Sequence, residues 1–246
     1  MKIRIKFRKY GIMKFIGHLD IMRFFQKAVR RSGIDICYSE GFSPHQIMSF
    51  AAPLGVGVTS DGEYLDIEVH TSKSTAESVA ALNAAMVEGM EITGYVRLDD
   101  HAKTAMSLVS AADYEIWQKD GLELPEELKD LGGLRQKLHS FFVEPEKVCV
   151  TKKTKKSEKV MDLKQLVYDF QILAPEERFG NLPAFYLNVC TGSTDNLKPE
   201  LDLEAFYEYM GLAFDPFGLQ IHRKDVYYTQ ADGNRKPLLE AGEIIT

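Results

Sequence analysis

Near its start the chain switches hydrophobic period once, and that switch limits the possible folds more than any other feature. Over 2–9, Ile3, Ile5 and Phe7 alternate with Lys2, Arg4, Lys6 and Arg8. This period of two marks a strand with one apolar and one charged face. Past a loop holding Gly11, residues 19–32 take a helical period. Ile21, Met22, Phe24, Phe25, Ala28 and Val29 share one side, and Arg23, Lys27, Arg30 and Arg31 share the other. Asp20 suits the positive end of such a helix, and Gly33 suits its exit. Residues 35–38, 63–70 and 91–98 read as further strands and 75–87 as a second helix. The resulting order, β-α-β-β-α-β, is the split βαβ pattern of a ferredoxin-like domain.

The remaining sequence repeats that order more weakly. Strands are expected at 114–118, 147–153, 165–173, 184–190 and 226–229, with helices at 126–142 and 203–212. A lysine-rich turn joins the strands 147–153 and 165–173. The expected fold class is therefore α+β, two tandem ferredoxin-like (split βαβ) domains over 1–100 and 112–230. Residues 231–246, which open on Asp232-Gly233-Asn234, read as a turn and a polar tail that adds little to the core.

At 246 residues, 45% apolar and 27% charged, the composition is that of an ordinary globular protein. No apolar run approaches the roughly 18–20 residues that span a bilayer, so no membrane partner is expected. The alternating start is unlike the continuous apolar segment of a signal peptide. Cys37, Cys149 and Cys190 lie far apart, without C-x-x-C spacing. That usage predicts cytoplasmic thiols rather than a zinc or iron–sulfur site held by this chain alone. The six histidines show no H-x-H or H-x-x-x-H spacing. Neither a metal nor a cofactor is expected.

The net charge of −6 conceals an uneven distribution: residues 1–31 carry ten Lys and Arg against the single acid Asp20. Phosphates are the usual partners of such a patch. The cations expected to meet nucleic acid are Arg4, Lys6, Arg8, Arg23, Lys27, Arg30 and Arg31, joined at the lysine-rich turn by Lys152, Lys153, Lys155 and Lys156. Most aromatics near these bases fall at core positions, which leaves Tyr10 and Phe42 to stack on bases. No Walker A loop, G-x-G-x-x-G or G-x-S-x-G motif occurs, and Gly55-Val56-Gly57-Val58 has no helix start behind it.

Residues 39–62 are too long for a simple hairpin connection. Gly41, Pro44, Pro53, Gly55 and Gly57 impose turns, while Phe42, Phe50, Leu54, Val56 and Val58 favour burial. The segment reads as a shaped binding loop with Phe42, Ser43 and His45 as contacts, or as an extra hairpin over the sheet.

Phe15-Ile16-Gly17-His18-Leu19-Asp20, the pair Arg30-Arg31, and Gly41-Phe42-Ser43-Pro44-His45 with Ser49-Phe50 and Pro53-Leu54 together resemble the radical SAM-linked protein family. This domain of unknown function occurs alone or fused to cobalamin-dependent radical SAM enzymes. The resemblance is close over 1–70 and departs from the family pattern at Gly17, Ser43 and Gln46-Ile47. It implies an accessory role beside a radical SAM protein, in a setting that points toward RNA. The chain lacks the three closely spaced cysteines that ligate a radical SAM cluster. The N-terminal half is also similar in outline to ferredoxin-like endoribonucleases that process CRISPR transcripts. On that likeness His18 or His45 would act as acid or base, with a nearby cation stabilising the phosphate. Three readings stand: an RNA-binding or substrate-presenting partner of a radical SAM enzyme in tRNA or rRNA modification or processing, a metal-independent endoribonuclease, and a protein–protein adaptor.

Overall fold

β1 (Lys2–Lys9) is the strand on which the N-terminal half is assembled. In the computed structural model, which describes residues 1–153, 158–192 and 195–246, it lies between β3 (Thr59–Glu68) and β4 (Met90–Leu98), antiparallel to both. β2 (Met48–Phe50) pairs with β3 through Met48↔Ile67 and Phe50↔Leu65. The helix α1 (His18–Arg31) follows β1, and α2 (Thr75–Asn83) joins β3 to β4. Ile3, Ile5 and Phe7 point as the alternation predicts, into a core with Ile21, Phe25 and Val29 of α1 and Leu82 of α2. Phe7 and Phe25 stack at 4.7 Å between ring centroids, and Phe50 closes on Phe25 at 5.6 Å. Gly33 leaves α1 at φ +73°, and Ser74 and Glu77 form a reciprocal capping box at the start of α2.

The expected second strand at 35–38 makes only two single bridges, Ile36↔Val69 and Tyr38↔Gln46. The paired strand is β2, inside the segment read as loop. Both stretches lie along β3 and its continuation, with Ile36 at Val69 and Met48 at Ile67, so two segments of similar pattern share one edge.

The charged side of β1 is not a solvent face. Arg4 is fully buried. Its Nε and Nη2 donate to the Asp66 carboxylate at 2.8 and 2.9 Å, and its Nη1 donates to the Leu238 carbonyl at 3.1 Å. Asp66 also accepts from the Ala105 N–H at 2.6 Å, holding the short helix α3 (Ala105–Leu108). The expected polar tail supplies this cover. β10 (Leu219–Thr229) pairs with β11 (Arg235–Pro237), and the turn Leu238–Ala241 follows with Leu238 wholly buried. Gly62 permits the close approach of β3 to β10: a Cβ there would stand 2.5 Å from the Asp225 Cα. Lys6 pairs with Asp225 at 2.6 Å, whose other oxygen accepts from the Tyr64 hydroxyl at 2.6 Å.

The chain divides into two compact units, Met1–Ala111 with Arg223–Thr246, and Ala112–His222. The second contains most of β5 (Val109–Gln118), then α4 (Leu131–Leu138), a π turn at His139–Val143, and the ribbon β6 (Cys149–Lys153) with β7 (Glu158–Asp162). The short helix α5 (Leu163–Leu166), β8 (Val167–Leu173), β9 (Ala184–Cys190) and α6 (Pro199–Tyr209) complete it. β8 and β9 are antiparallel, and β5 lies beside β9. Within the expected 147–153 strand, Cys149–Lys153 pairs with Glu158–Asp162 rather than with 165–173. Phe206 of α6 packs on Phe141, Phe170 and Phe185. The fold class is α+β, a large, mostly antiparallel sheet with six α-helices among the described residues.

Two stability tests follow from these interiors. Asp66→Ala leaves the Arg4 guanidinium buried without its counter-charge, and a loss of about 3–5 kcal/mol is expected in urea unfolding; the exposed Arg23→Ala is expected to change stability by less than about 0.5 kcal/mol. Asp202 on α6 is fully buried, and neither carboxylate oxygen has a partner among the described residues. Burial first, and the Glu200 charge second, hold its pKa well above the ordinary carboxylate value. Folded Asp202 therefore keeps a proton that the unfolded chain releases above about pH 4, so stability falls as pH rises from there. Asp202→Asn cannot ionise. It is expected to melt higher than the parent at pH 7, with the gap closing toward pH 4 in thermal scans.

Candidate nucleic-acid interface

Burial and pairing engage the cations of β1. Arg4, expected on the nucleic-acid face, is sealed in the interior against Asp66. Lys6 is held by Asp225, and Arg8 bridges Asp61 at 2.7 Å and Glu91 at 3.2 Å. Lys9 is buried, with Nζ donating to the Ile16 carbonyl at 2.8 Å. Its pKa is lowered, chiefly by desolvation; Glu63 pulls it up and Arg223 pushes it down. Arg223 in turn donates through Nε to Glu63 at 2.9 Å. Alternation over 2–9 fixed which residues share a face, but it carried no signal of the acids that meet them from β3, β4 and β10.

The cations of α1 remain outside. Arg23, Lys27, Arg30 and Arg31 are all exposed. Arg23 meets Asp20 at 3.1 Å, in a pair about two-thirds exposed on both sides, which solvent screens to little net value. Arg30 reaches only the Gln26 carbonyl and Arg31 only the Ala85 carbonyl. Among the described residues Lys27, Arg30 and Arg31 meet no carboxylate. At 27, 30 and 31 they occupy one face over a single turn, opposite the buried Phe25, Ala28 and Val29.

Exposed aromatics stand just before this helix. Tyr10 is 37% exposed beneath the Arg8 guanidinium, 5.3 Å from its ring centroid. Phe15, which the sequence reading left among the core aromatics, is 62% exposed with the Lys14 ammonium 5.3 Å over its ring. It closes the tight turn Gly11–Phe15, and Gly11 just ahead was the signal that the helical period had not yet begun. In the 39–62 segment Phe42 is wholly exposed, Ser43 and His45 are exposed, and His45 Nδ1 lies 2.8 Å from the Ser39 hydroxyl. The Gly57 N–H is spent on the Lys14 carbonyl at 2.8 Å, which ties this segment to the turn before α1.

His18 stands elsewhere in the unit, edge-on to Phe50 at 5.1 Å. With Lys9, Glu63 and Leu54 it lines a cavity of about 20 Å³, the room of a single water. On β6, Lys152 and Lys153 stand in register with Lys159 and Glu158; Lys155 and Lys156 lie outside the described residues. Cys37, Cys149 and Cys190 are free. Among the described residues no group of three or more His, Cys, Asp or Glu is placed to hold a metal ion, and no helix is long and apolar enough to cross a membrane.

The chain is α+β, with a cationic face on α1 and exposed aromatics just ahead of that helix. Residues 2–199 match the family described as "Uncharacterized protein conserved in bacteria (DUF2344)", and the chain belongs to that family. No curated protein matches it.

Proposed function

We propose that the chain is an accessory protein that binds single-stranded RNA on the cationic face of α1, presenting it to a radical SAM enzyme in tRNA or rRNA modification or processing. The observation that carries the RNA reading is the persistence of Lys27, Arg30 and Arg31 without carboxylate partners, in a unit where Arg4, Lys6 and Arg8 are all paired. Unneutralised cations on a rigid helix track a phosphate backbone without reading sequence. The exposed rings of Tyr10, Phe15 and Phe42, two of them beside a cation, favour unpaired bases, which stack on aromatic faces. The radical SAM partner rests on the resemblance of 15–20, 41–45 and 49–54, as does a cytoplasmic setting on the cysteine usage. Two ferredoxin-like halves agree with the strand orders: β1 lies between β3 and β4 with β2 beyond β3, and β5 lies between β9 and β10 with β8 beyond β9.

The test is affinity for single-stranded RNA fragments across a salt series. Four phosphate contacts predict a slope of log K against log salt of about −3, from roughly −0.7 per contact on single strands. Changing Arg23, Lys27, Arg30 and Arg31 to Glu is expected to abolish binding while leaving the melting temperature within a few degrees. Binding that ignores this charge reversal, or an absence of binding at low salt, overturns the reading. Cleavage in chelator that is lost in His18→Ala or His45→Ala would replace it with a nuclease.

The aromatic contribution is separable from charge. Phe15→Ala and Phe42→Ala are each expected to weaken single-strand binding by about 1–3 kcal/mol per stacked base, with the salt slope unchanged. Duplex affinity should stay constant, measured by fluorescence anisotropy on matched oligonucleotides.

A further inference from the structure

The second unit holds a groove of about 1140 Å³ between α6 and the β6–β7 ribbon. Its apolar lining includes Phe141, Val148, Leu201 and Ala205, and its rim includes Glu200, Glu204 and Glu208 of α6. We propose that this groove receives a basic amphipathic helix of a partner protein, its apolar face on the lining and its cations against the glutamate row.

The glutamates stand at i, i+4 and i+8, one above another along α6 and about 12 Å from first to last at 1.5 Å per residue. Like charges at this spacing weaken a helix, and Glu208 in the last turn also opposes the helix dipole. Among the described residues Glu200, Glu204 and Glu208 have no cationic partner that would offset this cost. Among the described lining residues the cation is Lys198, before the first turn. An incoming helix with Lys or Arg at the same four-residue spacing would face the row in register, and apolar residues between them would reach Leu201 and Ala205. This is the helix-in-groove mode of recognition.

The other wall of the groove is also short of partners. β6 and β7 form a separate two-stranded sheet, an arrangement of marginal stability alone, and Cys149, Val150 and Thr151 of β6 line the groove. An occupant that packs on the ribbon and α6 together would secure it. The groove uses no residue of α1, so this inference stands independently of the RNA reading.

The test uses the full chain and a labelled 16-residue peptide of Leu and Lys, patterned so that a helix has one apolar and one cationic face, followed by fluorescence anisotropy. The variant E200Q/E204Q/E208Q is compared with E123Q/E126Q/E127Q, which removes the same charge at exposed residues outside the groove lining. The groove variant is expected to weaken binding at least tenfold and the control less than twofold. Ala205→Trp, which fills the groove without changing charge, is also expected to weaken binding at least tenfold; circular dichroism checks that it folds. Equal binding by the groove and control variants overturns the proposal, because attraction then follows net charge alone. So does an absence of binding by the unaltered chain at low salt. If Ala205→Trp fails to fold, the glutamine comparison decides.

Discussion

The bidentate pair between Arg4 and Asp66 is the constraint on which the N-terminal unit depends. A guanidinium with no solvent exposure is tolerable only when its donors are met, and here Asp66 and the Leu238 carbonyl meet them. The same carboxylate accepts from Ala105. One charge pair thus fixes β1 against β3, anchors the chain leaving β4, and brings residues near the end of the sequence onto the second face of the sheet. Replacing both partners by apolar residues would remove the desolvation cost. It would also remove the directional bonds that select Leu238 as the cover.

This use of charge in the interior governs what is left for the surface. Residues 1–31 look strongly basic in isolation, yet β3, β4 and β10 return Asp66, Asp61, Glu91 and Asp225 to the cations of β1. On α1, which packs its apolar side down and turns the other outward, Arg23 meets only Asp20 of its own helix, and Lys27, Arg30 and Arg31 meet no carboxylate among the described residues. A field assembled from four cations on one helix is shorter in range and more readily screened than the sequence suggests.

Local pattern was legible where one rule acted alone. β1, β9 and the helical stretch from His18 followed from period and from the glycine at position 33, because no other segment competed for their places. The segment from 35 to 50 was not legible, since two short apolar runs have equal claim on the edge of β3 and only the assembled sheet decides between them. The stretch 126–142, expected as one helix, instead runs as a 3₁₀ turn at Glu126–Leu128, α4 from Leu131 capped by Asp130, and a π turn from His139, with Gly132-Gly133 diluting its propensity. Among candidate contacts, Arg23, Lys27, Arg30 and Arg31 could be named in advance because amphipathicity alone places them. Arg4 could not, because its fate depends on Asp66 and Leu238, 62 and 234 positions away. Phe15 was hidden for the converse reason: an aromatic beside an apolar helix start has the pattern of a core residue until the tight turn before it is seen.

The two units thus carry charge in opposite senses and for different chemical ends. In the first, acids neutralise the cations of a sheet face and leave a helix face positive; in the second, a row of glutamates without a cationic partner among the described residues borders apolar side chains. Neither arrangement is what stability alone would select, since unopposed like charges on a helix cost free energy that one substitution could relieve. Apolar lining beside the acids distinguishes the second surface from simple solubilising charge, because solvated glutamates need no hydrophobic floor. Exposed Tyr10 and Phe15, just ahead of α1, add apolar surface to the first. In both proposed surfaces a charge that would select a partner class stands in the same unit as apolar side chains that would add affinity once the partner has arrived.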